Sequence, residues 1–375
     1  MAGWEEVGLK PHGFEPLGFK TLKRKIILDL RFPIPDIFPE TLPVIIPDLI
    51  RLKQIPKLSS LLFFDLETTG LSGGAGTIAF LAAFARFCPE RGSGKNEQIE
   101  ITQYLLLDYP GESDFVERVV EELNPGKYTD TGNLPLVVSY NGKSFDSQII
   151  KTRCLMNGIS PPEFSHADLL HPARRLWKRV LPDCSQATIE VSVLGLDRSG
   201  DVSGALAPEI WFSFLRSGRI EDLLSVCDHN ARDVTGLASL FLALSEIAAR
   251  PEESQSKYRF DEEALALTWR AFAKKNKNSP LLFGGGEACD CYAQTGMRLL
   301  ENAARKGSVR SAIALAIDAE WRQKDPALAL GYTEAAIKSI AKQNLFWDEL
   351  EQRRKRLEKK LQKAHGIDIN FKKNF

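Results

Sequence analysis

The chain has 375 residues and no net formal charge at pH 7, and 43% of its residues are hydrophobic while 26% are charged. This composition is typical of a globular protein with a large core, and it excludes a disordered chain, a collagen and a small disulfide-stapled scaffold. An uncharged apolar run of about 18 residues does not occur, so the sequence predicts no membrane-spanning helix.

Three segments differ in composition. Residues 1–58 are rich in proline, which excludes long helices and favours extended chain, and their apolar residues predict a segment that packs on the next domain. Residues 59–250 carry 17 basic and 25 acidic side chains, hence −8, and residues 251–375 carry 23 and 17, hence +6. We therefore predict an N-terminal segment, an acidic central domain and a basic C-terminal domain with different roles.

The central segment, residues 59–250, combines strand and helix patterns. Short apolar runs bounded by turn residues predict strands, and apolar residues at helical spacing after early acids predict a helix. The predicted strands cover residues 61–64, 77–87, 99–107 and 136–140, with a helix at 113–123 and mostly helical patterns from 144 to about 247. This order is typical of a mixed β-sheet flanked by helices.

The C-terminal segment, residues 251–375, has helical patterns and little strand signal. Residues 311–323 and 326–341 predict a helix pair whose many alanines permit close packing. The pair is typical of a tetratricopeptide-like hairpin, and a generic helical bundle fits as well. The basic run at 353–360 indicates either affinity for nucleic acid or a solvated helix face.

Two carboxylates stand at the end of the first predicted strand of the central domain. Asp65 and Glu67 are two residues apart, and alternate residues of a strand point to the same face, so both can reach one metal ion. Burying two acids costs free energy unless cations pair with them. The alternative is a strand end with two solvated acids.

Further acids follow in two motifs. Asp146 closes Asn141-Gly142-Lys143-Ser144-Phe145-Asp146, at the first turn of a predicted helix, and His229 and Asp233 are four residues apart, hence on one helical face. Taken singly, a helix-start acid and a histidine–aspartate pair are more often structural than catalytic.

The ordered set Asp-x-Glu, Asn-x-x-x-Phe-Asp and His-x-x-x-Asp resembles the DEDD (DnaQ-like) 3′–5′ exonucleases of the ribonuclease-H-like superfamily. Within that superfamily, the stretch from Asp168 to Lys178 and the run Asp201-Val-Ser-Gly resemble the YprB-type domain family. The resemblance covers residues 59–247. It implies an α/β fold, a ribonuclease-H-like mixed β-sheet flanked by helices, followed by an all-α, tetratricopeptide-like C-terminal domain.

The resemblance implies a metal-dependent 3′–5′ exonuclease, a hydrolase of phosphodiester bonds that uses two ions. Hydrolysis needs an attacking hydroxide and a stabilised leaving oxygen, and two cations provide both. Oxygen ligands suit Mg²⁺ or Mn²⁺, the expected cofactors. The resemblance assigns metal-ligand and catalytic roles to Asp65, Glu67, Asp146 and Asp233, with Asp65 as the bridging ligand.

His229 is the candidate general base, because an imidazole titrates near neutrality and accepts a proton from the attacking water. In the superfamily, a histidine base stands five residues before the last aspartate and a tyrosine stands four before it. This chain has histidine at the tyrosine spacing and Asp228 at the histidine spacing, so Asp228 is a next candidate if the base is not His229. The alternative is that His229 only orients local structure.

Substrate-binding candidates come from the same motifs and from a basic cluster. Arginines provide phosphate contacts and aromatic rings stack on bases, and the cluster at 174–179 holds both types around Trp177. A solvated amphipathic face is the alternative. Asp168 and Asp201 are either caps or groups that hold ligands in place. The substrate-binding candidates are Thr68, Asn141, Phe145, Arg174 and Arg175.

The expected partner is nucleic acid, DNA or RNA, bound at the 3′ end of a single strand, and the C-terminal helical domain is a candidate site for a protein partner. The alternative function is a non-catalytic nucleic-acid or protein-binding module on the same fold with a helical scaffold domain, and the presence of all four acids favours the enzyme. The N-terminus lacks a secretory pattern and the six cysteines are scattered without zinc spacing, so we expect a cytoplasmic protein and no membrane partner.

Overall fold

The computed structural model describes residues 8–52, 54–70, 76–88, 97–124, 135–276 and 285–364. The chain divides into two units, Met1–Arg259 and Phe260–Phe375. The first holds a β-sheet with helices, and the second is helical. The predicted domain boundaries near residues 58 and 250 stay predictions.

The described residues of the first unit contain a seven-stranded sheet, in the order β1-β2-β5-β4-β3-β6-β7. The pairs β3–β6 and β6–β7 are parallel and the other pairs are antiparallel, so the sheet is mixed as predicted. The strands are β1 (Phe14–Gly18), β2 (Thr21–Leu30), β3 (Leu61–Thr68), β4 (Ala79–Phe87), β5 (Glu97–Leu106), β6 (Leu136–Ser139) and β7 (Ser165–Asp168).

Three of these strands are absent from the sequence interpretation. The hairpin β1–β2 lies in the proline-rich segment, but the prolines cluster after Pro33 and leave β2 free to pair along its whole length with β5. Strand β7 is the four-residue Ser165–Asp168, too short and too polar for a periodic signal. The first unit therefore contains more sheet than the hydrophobic pattern indicates.

Helices cover this sheet, and α7 is the longest at 29 residues. Its apolar residues pack on β3, β4 and β5, and the ring of Phe241 meets Phe38 and Phe63 edge to face. The helices of the first unit are α1 (Leu42–Ile45), α2 (Glu112–Leu123), α3 (Asp146–Met156), α4 (Leu170–Trp177), α5 (Gln186–Ser192), α6 (Ala207–Ser217), α7 (Glu221–Ala249) and α8 (Gln255–Tyr258). The packing of α7 on β3, β4 and β5 determines which face of the sheet carries the acids.

The second unit consists of helices in its described part, which confirms the all-α expectation. Helices α11 and α12 form the predicted pair, and the small side chains of Ala312 and Ala336 meet in its core. The helices are α9 (Glu262–Asn276), α10 (Gly285–Arg305), α11 (Val309–Trp321), α12 (Pro326–Lys338) and α13 (Trp347–Ala364). Among the described helices of the whole chain, none combines the length and apolar character needed to cross a bilayer.

The basic run on α13 has an intramolecular partner. Glu320 of α11 is 3% exposed, and its carboxylate lies 2.5 Å from Arg356, 3.6 Å from Lys360 and 3.7 Å from Arg353. A buried carboxylate needs such cations. Part of the basic run at 353–360, a candidate for nucleic-acid binding, therefore pairs with Glu320 and holds α13 on α11.

Candidate active site

Strand β3 presents Asp65 and Glu67 on the face of the sheet that α7 covers. Asp65 lies opposite Ala83 of β4, and Glu67 lies opposite Leu81 of the same strand. The register is regular between them, so both side chains point to one face of the sheet. Glu67 is 8% exposed and Asp65 accepts a hydrogen bond from the Asn230 amide of α7 at 2.7 Å. Both predicted ligands thus lie beneath the helix that carries the third motif.

Asp146 begins α3, directly after the turn that leaves β6. The turn needs glycine at position 142, because a Cβ there would lie 2.5 Å from the Ser139 hydroxyl and 2.8 Å from an Asp146 carboxylate oxygen. Asn141 has a left-handed backbone (φ 66°), and its N–H donates to Asp168 at 2.8 Å. The motif therefore works as a tight turn that brings the Asp146 carboxylate against the backbone.

Helix α7 brings His229 and Asp233 to Glu67. The His229 Nε2 atom lies 3.3 Å from an Asp233 oxygen and 3.8 Å from a Glu67 oxygen. One donor atom from each of these three residues falls within 4.8 Å of the others, so the group can hold a metal ion. The four-residue spacing on the helix produces this meeting, as predicted from the sequence.

Burial and mutual repulsion govern the charges of the acids. Burial, then the charges of Asp233, Asp146 and Glu67, raise the pKa of Asp65 well above its ordinary value. Burial and then Asp233 do the same for the pKa of Glu67. The pKa of Asp146 rises to about 7, through burial and then the charge of Asp168. Protonation or a bound cation relieves repulsion between buried carboxylates, and the oxygen-rich set fits a hard divalent ion.

Arg198 is a member of the site that the sequence analysis missed. Its guanidinium lies 2.6 Å from Glu190 and 2.7 Å from Asp201, and it also donates to Asp233. The residue stands in a loop, where no periodicity marks it, so only spatial neighbours reveal it. Arg198 holds one side of the Asp233 carboxylate and leaves the other side toward Glu67 and His229.

Asp201 fixes the orientation of His229. The His229 Nδ1 atom lies 3.0 Å from an Asp201 oxygen, and Asp201 is itself paired with Arg198 and, at 3.2 Å, with Arg232. A carboxylate that accepts from Nδ1–H leaves the Nε2 lone pair toward the acids. Of the two interpretations that the sequence left open for Asp201, the geometry supports the one that holds another residue in place.

The comparison with known families bears on this arrangement. Residues 62–245 match a family model described as RNase_H superfamily. This segment belongs to the ribonuclease H superfamily. The uncharacterized protein YprB of Bacillus subtilis (strain 168) is 38% identical over 191 residues, which are 50% of this chain and 42% of that protein. The predicted resemblance to the YprB-type ribonuclease-H-like domain family is confirmed. The chain spans less than half the length of this relative.

A solved structure is also similar, at a greater distance. The family B DNA polymerase from the hyperthermophilic archaeon Pyrobaculum calidifontis matches with a TM-score of 0.33 and 14% identity, over 56% of this chain and 29% of that one. This likeness is too weak to bear on function. What the comparisons establish is the superfamily of residues 62–245.

The predicted substrate-binding residues of the ribonuclease H domain lie at different depths. Thr68 is 5% exposed, and its hydroxyl donates to the Gly70 carbonyl. The hydroxyl proton is therefore used within the protein. Phe145 packs half-buried against the core. Asn141, Arg174 and Arg175 are exposed, and the two arginines lie on α4. The exposed residues are the ones open to a phosphate backbone.

Two interpretations of single residues are wrong. Trp177 is fully buried and its indole N–H donates to the Tyr258 carbonyl at 2.9 Å, so it does not stack on a base. Asp228, the alternative base, has a 60% exposed side chain and pairs with Arg24 at 3.0 Å, outside the acid cluster. Both residues sit on helix faces that the sequence spacing alone did not assign.

Gly236 of α7 lies so close to a buried side chain that replacing it with alanine is expected to destabilise the protein. A Cβ at this position would lie 1.8 Å from the buried Glu190 carboxylate, which Arg198 holds. We expect Gly236→Ala to lower the free energy of unfolding by about 1–3 kcal/mol, the usual range for overpacking. Urea titration of the variant measures this change.

Gly331 of α12 is the matched control, since a Cβ there meets nothing within 4 Å. Alanine in a helix interior is more favourable than glycine by about 1 kcal/mol, so Gly331→Ala should stabilise the protein. Equal effects of the two substitutions would show that the Glu190 contact is absent in solution.

Proposed function

We propose that the chain is a 3′–5′ exonuclease of the DEDD type that hydrolyses phosphodiester bonds of nucleic acid with two divalent cations. The observation that supports this most is the convergence of buried and half-buried acids from β3, α3 and α7, where burial and then mutual repulsion raise the pKa values of Asp65 and Glu67. A fold without a cation to bind gains nothing from such a set, which costs folding free energy. The non-catalytic binding module has no comparable support.

The residues that would hold the cations are Asp65, Glu67, Asp146 and Asp233. All four donors are carboxylates, the type that Mg²⁺ and Mn²⁺ prefer. When bound, the two cations supply the charge that favours the attacking hydroxide and the departing oxygen. Arg198 and Asn230 hold Asp233 and Asp65 by their other oxygens, which sets the direction in which each carboxylate points.

The proposed role of His229 is to accept a proton from the attacking water. Its Nε2 atom faces the acids while Asp201 holds Nδ1, so the ring is fixed with its free lone pair inside the site. As the proton arrives at Nε2, the carboxylate of Asp201 stabilises the imidazolium that forms. Glu67 is buried, so the local dielectric constant is lower than in water and these charge interactions are stronger.

The substrate proposed for this site is a single strand of DNA or RNA entering by its 3′ end. Arg174 and Arg175 of α4 and Asn141 in the turn before α3 are exposed and offer donors to phosphate oxygens. We further propose a cytoplasmic location, with the C-terminal helical domain as the candidate site for a protein partner.

A direct assay tests the proposal. Single strands of DNA and RNA, labelled at the 3′ or the 5′ end, are incubated with the protein and Mg²⁺ or Mn²⁺, and parallel samples contain a chelator. We expect release of mononucleotides from the 3′ end that stops with the chelator. Binding without cleavage under every metal condition would support the binding module instead.

A further inference from the structure

One row of side chains crosses the sheet beneath α7. Arg24 of β2 pairs with Gln103 of β5, Gln103 pairs with Ala83 of β4, and Ala83 pairs with Asp65 of β3. Residues that oppose each other in antiparallel strands point to the same face, so the four side chains form a line that ends at the proposed ligand. Ala83 has only a methyl group, which leaves space in this line.

Asn230 of α7 fills that space and joins the two halves. Its amide nitrogen donates to Asp65 at 2.7 Å, and its amide oxygen accepts from the Gln103 amide nitrogen at 3.1 Å. The Gln103 oxygen accepts from Arg24 Nε at 2.9 Å. Gln103 and Asn230 are 0% exposed and Arg24 is 6% exposed, so water does not compete for these groups.

The chain of hydrogen bonds has a single direction. A guanidinium only donates and an ionised carboxylate only accepts, so the two ends require that both amides present oxygen toward Arg24 and nitrogen toward Asp65. A rotated amide would set donor against donor or acceptor against acceptor inside the core. The Gln103 amide nitrogen also donates to the Cys227 carbonyl at 2.7 Å, which requires the same orientation of that amide. Arg24 and the Cys227 carbonyl thereby determine, through the two amides, which atom meets Asp65.

We propose that Arg24, Gln103 and Asn230 are positioning residues for the metal site, and that they hold one oxygen of Asp65 so that the other is directed to the cations. The inference rests on the proposed function of Asp65. Arg24 is anchored in turn, since its guanidinium lies over the Phe14 ring at 5.0 Å and pairs with Asp228 at 3.0 Å. The β1–β2 hairpin lies before residues 62–245, so a segment outside the family match becomes part of the site.

The test measures Mn²⁺ affinity of the full chain by calorimetric titration, without nucleic acid. Gln103→Glu keeps the size and the acceptor for Arg24 but presents an acceptor to Asn230, whose amide must then turn its oxygen toward Asp65. Added negative charge alone would tighten Mn²⁺ binding, whereas loss of orientation weakens it by about 10–100-fold, as for other groups that orient ligands. Weaker binding supports the proposal, and equal or tighter binding overturns it.

A double-substitution cycle separates positioning from general loss of stability. Asn230→Leu and Gln103→Leu should each weaken Mn²⁺ binding, and the combined variant should bind no more weakly than Asn230→Leu, because Gln103 acts through Asn230. Additive losses would overturn the proposal. Tyr104→Phe is the matched control, since it removes a buried 2.7 Å hydrogen bond to Glu122 from the neighbouring residue of β5 and should leave affinity unchanged.

Asp65→Asn in the same titration distinguishes the two levels of inference. If Asp65→Asn loses Mn²⁺ binding while the Gln103 and Asn230 variants keep it, the positioning proposal fails and the proposed function stands. If Asp65→Asn binds Mn²⁺ like the wild type, the assignment of the metal site fails, and the positioning role fails with it.

Discussion

Asp65→Asn is expected to abolish hydrolysis and to leave nucleic-acid binding intact. The substitution keeps the shape of the side chain and an oxygen that accepts from Asn230, but it turns an amide N–H₂ toward the cations and removes one negative charge. We expect the rate to fall by more than about 100-fold, the upper end of what loss of an outer, orienting group costs. Binding to a phosphate backbone should persist, because the exposed arginines of α4 that are proposed to contact phosphates are unchanged.

Thermal unfolding shows whether this loss of activity is loss of fold. Burial and three neighbouring carboxylates raise the pKa of Asp65, so its charged form destabilises the metal-free protein and a neutral amide relieves that cost. The metal-free variant should unfold at the same temperature as the wild type or higher. Added Mn²⁺ should raise the unfolding temperature of the wild type, by mass action, much more than that of the variant.

Asp222→Asn is the control for charge. Asp222 is an exposed acid in the first turn of α7, two turns before the site, and we expect normal activity from the variant. Hydrolysis by Asp65→Asn at the wild-type rate would contradict the assignment of the metal site, whatever the stability data show.

The sequence predicted the part of the fold that periodicity encodes. The alternation in β3 and the four-residue spacing in α7 place Asp65, Glu67, His229 and Asp233 together, and the structure brings them to one face. Strand β7 was missed because four residues cannot show a period, and the β1–β2 hairpin because prolines later in its segment dominated the interpretation.

The residues that orient the site were not predictable from local pattern. Arg198 reaches Glu190 and Asp233 from a loop, and Gln103 and Asn230 meet only because β5 and α7 are adjacent in space. A glutamine inside a strand or an asparagine inside a helix has no periodic meaning of its own. Such contacts are tertiary, so they appear only once strand order and register are known.

His229→Ala is expected to lower the single-turnover rate by about 10²–10⁴, the usual contribution of general acid–base catalysis. The surroundings of the ring suit a proton acceptor, since Asp201 accepts at Nδ1, at 3.0 Å, and Nε2 faces Glu67 and Asp233. Asp201→Asn should have a smaller effect, about 10–100-fold, since it orients the ring without touching the water.

Metal affinity distinguishes a base from a ligand. The four carboxylates remain in His229→Ala, so Mn²⁺ should bind the variant nearly as tightly as the wild type while the rate falls. A parallel loss of Mn²⁺ affinity would show that the Nε2 atom, 3.3 Å from Asp233, coordinates the ion instead of accepting the proton. A nearly normal rate with unchanged Mn²⁺ affinity would show that neither role belongs to His229. The exposed Asp228 cannot replace it, because its carboxylate is paired with Arg24 outside the cluster.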